Sequence, residues 1–326
     1  MKKLFLFALL SYCSYISFAC GNEYNSRAAL PLRNDTLELY PLLNPGDFTA
    51  PYWSNGFFDD VKAYHKIQRD SILLLSGNKK DKNNWLSDEA LLKKHYQLFS
   101  DFALNELKIG DKSFAIALLE KLYAYFPKEY NIVANLGTGY ELIGNDMKAL
   151  ELIRKAVAIN PSSHEKSEWI HIKILEQKLS TPPNYPTIIN LKITDFPSWI
   201  RDDAYQFPQD PEALKKQIAY QLHERISFIK APDPIIAQMI LDFADIVAKH
   251  DGASKAGPFY DFALTYGDKL LAKTVQFRKE NLQLSTQQIK TTFRWAGIVW
   301  AIPFLAFVLI FIAWVRNMRR QSKQVR

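Results

Sequence analysis

The stretch Tyr130–Pro161, YNIVANLGTGYELIGNDMKALELIRKAVAINP, decides how this chain folds. Gly144 ends a first helix, Asn145-Asp146 cap a second, and Pro161 stops it. Gly137 and Ala149 carry little or no side chain, so two antiparallel helices approach closely there, while Leu136, Tyr140 and Ile153 fill the space around the contact. The stretch reads as a helical hairpin. Shifted by 34 residues it superposes on the segment before it: Phe99 on Val133, Phe102 on Leu136, Ala103 on Gly137, Gly110 on Gly144, Ala115 on Ala149, Leu119 on Ile153 and Pro127 on Pro161.

A helix-turn-helix unit with a 34-residue period resembles the tetratricopeptide repeat (TPR) family. The match in the second copy rests on small residues at Gly137, Ala149 and Ala156, the turn at Gly144, large first-helix residues at Leu136 and Tyr140, and the closing Pro161. The first copy keeps Ala103, Gly110, Ala115 and Pro127 but has Leu122 at a small-residue position and Glu106 where the tyrosine stands. A third copy opens at His164 with a helix expected over Glu165–Leu179, and Ser180-Thr181-Pro182-Pro183 falls where its second helix should start, so that helix should cap the stack. The repeats are placed at about 96–129, 130–163 and 164–180, within 86–180.

The resemblance implies an all-α solenoid of antiparallel hairpins whose first helices line a concave groove for an extended peptide or a partner's helix. On this chain the groove candidates are Gln97, Ser100, Asp101 and Leu104, then Asn131, Ala134, Asn135, Thr138 and Glu141, then Glu165, Ser167 and Trp169. One subfamily holds acidic C-terminal peptides in a two-carboxylate clamp of lysines, arginine and asparagines. Only Asn135 fits it here, while Ser100, Leu104, Glu165 and Trp169 depart from it, so a neutral segment is the expected ligand. Trp169 has two readings, an aromatic anchor for the partner or a ring packed beneath the proline-rich strap.

Around the repeats, residues 20–85 comprise an irregular lead, with Tyr52, Trp53, Phe57 and Phe58 as an aromatic plug, and a helix over Asp60–Ser76. Six prolines between Ser180 and Pro211 rule out one regular helix, and Ile188, Ile189, Leu191, Ile193, Phe196 and Trp199 favour a strap laid on the helices. A helical block follows at 212–293, with helices expected over Pro211–Ile229, Pro234–Lys249 and Ala256–Leu271. Val275, Leu282 and Ile289 recur every seven residues, as in a weak parallel dimer seam, but polar Arg278, Ser285 and Thr292 between them favour a solvated juxtamembrane stalk.

The ends read as addresses. Residues 1–19 have a basic start, an apolar run and Ser17-Phe18-Ala19, the pattern of a cleaved secretory signal. Cleavage would leave Cys20 first and the only thiol; it is a candidate for lipidation, although Ser17 and a second anchor weigh against that reading. Trp295–Val315 is 21 residues without a charge, so a transmembrane helix is expected over 294–316, with 317–326 a basic cytoplasmic tail. Of 41 basic residues, two lie in 1–19 and five in 316–326, leaving 34 against 34 acids elsewhere. The net charge of +7 therefore concerns topology and offers no basic surface for nucleic acid.

Catalytic signatures such as G-x-S-x-G, H-E-x-x-H and a phosphate-binding glycine loop are missing from the sequence. His164, Glu168 and His171 share a helix face with the spacing of a metal pair, but capping by His164 and packing by His171 is the plainer reading; no metal or cofactor is expected. Asp242, Asp245, His250 and Asp251 read as a solvated helix edge. The expected function is a single-pass, extracytoplasmic scaffold of the bacterial cell envelope that docks another envelope protein, rather than an enzyme. The alternative is a ligand-binding or hydrolytic site within 184–271, drawing on Asp202, Asp203, His223 or Asp242.

Overall fold

The computed structural model describes Tyr24 and residues 55–77, 81–180 and 187–283. The signal, Cys20, the plug residues Tyr52 and Trp53, Ile289, and the span at 294–316 lie outside the described residues. Among the described residues no helix is long and apolar enough to cross a membrane.

The described chain is all-α. Helix α1 (Asn55–Leu75) is followed by two short helices, α2 (Lys82–Leu86) and α3 (Glu89–Lys94). Two hairpins come next: α4 (Tyr96–Ile109) with α5 (Lys112–Tyr125), and α6 (Tyr130–Leu142) with α7 (Asp146–Ile159). Each pairs internally, α5 packs on α6, and α4 also meets α6, which is the stacking of a solenoid. The turn residues act as their chemistry dictates. Asp111 and Asn145 cap α5 and α7 by accepting from the amides of Phe114 (3.0 Å) and Lys148 (3.3 Å). Gly144 adopts φ +80°, a left-handed conformation that disfavours side chains. At Gly137 a Cβ would lie 2.8 Å from Ile153 Cδ1, so the absent side chain sets the closeness of α6 and α7. Ala103, Ala115, Ala149 and Ala156 are fully buried along the same seams.

Before the first hairpin, α1 packs on α4. Glu106 explains its departure from the tyrosine of the repeat pattern: its buried carboxylate takes His65 Nε2 (3.0 Å), Lys82 Nζ (2.5 Å) and the Asp111 amide (2.7 Å). Lys82 opens α2, so its contact ties that short helix to α4.

The third copy is corrected. Its helix does not run from Glu165: α8 (Ser163–Lys166) is a single turn in which His164, Glu165 and Lys166 have φ of 49°, 55° and 62°, and α9 runs only over Glu168–Lys178. No glycine or proline announces this left-handed turn, so hairpin periodicity carries straight through it in the sequence. Past α9, Ile188, Ile189 and Leu191 of the strap are buried, and the strap ends in α10 (Phe196–Arg201), which buries Phe196 and Trp199. The helical block comprises α11 (Pro211–Ile226), α12 (Pro234–His250), α13 (Ala253–Tyr266) and a last helix, α14, over 269–283. Helices α10 to α12 share one start: Asp195, Asp210 and Asp233 cap, with proline in the first two positions.

Two further expectations change. Val275 and Leu282 are buried in this chain's own core with α11, α12 and α13, so their seven-residue spacing marks an intramolecular packing face rather than a solvated stalk. Asp242 and Asp245 are 1% and 2% exposed and do not form a solvated edge. Asp242 accepts from the Ile188 amide (2.6 Å) and Gln238 Nε2 (2.8 Å), pinning the strap to α12. Asp245 accepts from Tyr260 (2.6 Å) and faces Arg278 Nε at 3.3 Å, which ties α13 and α14 to the same helix.

Candidate functional site

The side of the expected groove, along α4, α6 and α9, meets another part of this chain. Helix α11 lies against it. One stripe of α11, Leu214, Ile218, Leu222 and Ile226, faces the C-terminal core. The adjoining stripe, Gln217, Gln221 and Arg225, meets the repeat side: Trp169 Nε1 donates to Gln217 (2.8 Å), Gln221 donates to Ser167 (3.0 Å), and Arg225 pairs with Glu141.

Glu141 is the centre of a buried ion network. Besides Arg225 it receives His171 Nε2 (2.6 Å) and Lys178 Nζ (2.6 Å). Beside it, Glu168 takes His164 Nδ1 (2.6 Å), His171 Nδ1 (3.5 Å) and the Tyr130 hydroxyl (3.0 Å). His164 also stacks on Tyr220 of α11, ring centroids 4.9 Å apart. Burial opposes the charge on both glutamates, yet Arg225, His171 and Lys178 hold Glu141 well below the ordinary carboxylate range, and His164 with His171 does the same for Glu168. Burial likewise works against protonated His164 and His171, but the glutamates raise both. The spacing seen in the sequence thus builds alternating histidine–glutamate contacts, with Arg225 and Lys178 as further partners of Glu141.

The predicted groove residues divide into two sets. Asn135, Glu141 and Trp169 are engaged: Asn135 Nδ2 reaches Ser100 Oγ at 3.4 Å, Glu141 holds Arg225, and Trp169 packs against the C-terminal core beneath α11. Thr138 borders a cavity of about 40 Å³ between α6, α9 and α11, room for a few water molecules and far below the ~300 Å³ of an ordinary ligand pocket. Asp101 is buried and accepts the Tyr24 amide at 2.7 Å. Gln97 and Glu165 are exposed and Asn131 half-buried.

The residues of the alternative site do not converge. Asp202 and Asp203 are exposed just after α10, Asp242 is spent on strap and helix contacts, and His223 is buried in α11, where desolvation and Lys108 push it down to about 3. Elsewhere, among the described residues, Glu212, His250 and Asp251 bring one donor atom each within 4.8 Å of the others. Lys215 Nζ already sits among them, 2.8 Å from Glu212 and 2.7 Å from Asp251.

Sequence reasoning missed α11 as the occupant of the groove. A signal was present: polar residues spaced by four, Gln217, Gln221 and Arg225, beside an apolar stripe with the same spacing, describe a helix buried on two sides.

No protein-family model matches this chain, and no curated protein matches it. The architecture by itself is a domain of stacked antiparallel helix pairs, compatible with a repeat solenoid.

Proposed function

We propose that this protein is a membrane-tethered, extracytoplasmic scaffold of the TPR type that docks another protein of the cell envelope on its concave face, without catalysis. The observation that carries the reading is the use to which the face is put: it holds sequence-distant protein segments through polar contacts, α11 at one end and Tyr24 at the other. A surface built to receive protein segments, with Gln97, Asn131 and Glu165 left accessible, suits recognition of a protein partner. Tethering rests on the uncharged run Trp295–Val315 and its basic flank, and export on residues 1–19.

Affinity capture from detergent-solubilised membranes tests it, comparing the wild type with a Gln97→Ala, Asn131→Ala, Glu165→Ala variant. These side chains are not spent on the core, so folding should be retained while the partner is lost. An identical set of captured proteins from both would overturn docking on this face, and fractionation of the chain with soluble proteins would overturn the tether.

A further inference from the structure

Tyr24 lies 77 residues before Asp101, which takes its amide, and meets the first repeat through two hydrogen bonds and a ring contact. Its backbone amide donates to Asp101 Oδ1 at 2.7 Å, its hydroxyl donates to Glu129 Oε2 at 3.1 Å, and its ring meets Tyr96 edge-on, centroids 5.5 Å apart. Burial and the adjoining Glu129 carboxylate push the phenol up, so it stays protonated and donates. Asp101 reads a main-chain amide, which any residue but proline offers; Glu129 reads a hydroxyl at the far end of a planar ring, which tyrosine alone supplies at that reach. Together they specify a tyrosine in a segment whose amide is not spent on secondary structure. Gln97, next to Tyr96 in the chain, is exposed, and Asn131, two residues after Glu129, is half-buried.

We propose that Tyr96, Asp101 and Glu129 form a receptor for an extended, tyrosine-bearing segment of a partner protein, and that Tyr24 is its resident occupant, displaced when the partner docks. The proposal deepens the scaffold reading and rests on it for the existence of a partner, but the binding site itself is measured without one.

The probe is a fluorescently labelled peptide of residues 21–28, GNEYNSRA, titrated by anisotropy against the full chain in detergent micelles. A Tyr24→Ala chain, its pocket vacated, should bind the peptide about tenfold or more tightly than the wild type, whose own tyrosine competes. Replacing the peptide's tyrosine by phenylalanine, or adding Glu129→Ala to the Tyr24→Ala chain, should each weaken binding about tenfold, the loss of one hydrogen bond to a charged acceptor. Glu129 makes no side-chain cap for α6, so its replacement leaves the fold intact where Asp101→Ala, at a buried carboxylate, would not be as clean. Equal affinity for the wild-type and Tyr24→Ala chains, or no binding to either, would overturn the receptor. Such a result would leave capture through Gln97, Asn131 and Glu165 standing, so the two readings fail separately.

Discussion

Two pairs of buried carboxylates, one on each side of α11, are handled in opposite ways. On the repeat side Glu141 and Glu168 stay ionised, because Arg225, Lys178, His164 and His171 crowd around them. On the C-terminal side burial raises Asp242 to about 7 and Asp245 to about 6, where amides and a tyrosine serve them and Arg278 faces Asp245. The difference teaches what each interface is for. Charge matching fixes how α11 registers on the repeat side, where a misplaced helix would strand a charge; on the other side Asp242 staples the strap to α12 through hydrogen bonds, and Asp245 joins α12 to α13 and α14.

The sharpest way to break the comparison is Arg225→Ala, which leaves Glu141 buried with a cation missing. The expected loss is about 3–5 kcal/mol in urea unfolding of the full chain. A Glu141→Gln, Arg225→Met pair should recover much of it, because neither charge is then stranded; full additivity of the two changes would contradict the buried pairing.

Next in size is Asp242→Asn. An aspartate whose folded pKa is raised from about 3.9 holds its proton in the native state while the unfolded chain has lost it, so wild-type stability falls as pH rises from about 4 through 7. The substitution removes that slope and should stabilise the protein at pH 8 by on the order of 2–4 kcal/mol, with the advantage gone near pH 4. The repeat side moves otherwise. Stability from the raised histidines is complete below about 6.5 and lost as pH climbs through their folded values; that from the depressed glutamates is present above about 4.3 and lost as pH falls through theirs. The repeat side therefore holds its full stability between about pH 4.3 and 6.5, whereas the C-terminal side loses stability from about pH 4 upward; both weaken toward pH 8, and a thermal midpoint still rising at pH 8 would contradict the assignment.

Gly137→Val comes third, forcing Ile153 aside in the hairpin for about 1–3 kcal/mol by thermal melting. Smallest is Asn131→Ala, expected to change stability by less than about 0.5 kcal/mol while reducing partner capture. A large stability loss there would show that the open end of the groove is structural like the closed one.

The hairpins were legible because Gly137, Gly144, Ala149 and Pro161 act locally, each through its own backbone or the helix facing it. Heptad spacing at Val275 and Leu282 correctly marked an apolar face but said nothing of what covers it, and the cover proved to be this chain's own core. Asp242 and Asp245 looked solvated because acids at the edge of an apolar helix carry no record of the strap amides and the tyrosine that meet them. Among groove residues, position on the helix placed Glu141 and Trp169 on the right face, and only the tertiary arrangement revealed that α11 covers them.

The contact between Glu141 and Arg225 spans 84 residues of chain. An ordinary solenoid is a row of neighbours, each unit answering only to the next, and it frays from its ends. Here the second hairpin is bolted to a helix that belongs to no repeat, which converts the row into a ring. Amides of α6 and α11 should therefore exchange with solvent on one schedule, as parts of a single opening event, although a long irregular strap separates them along the sequence.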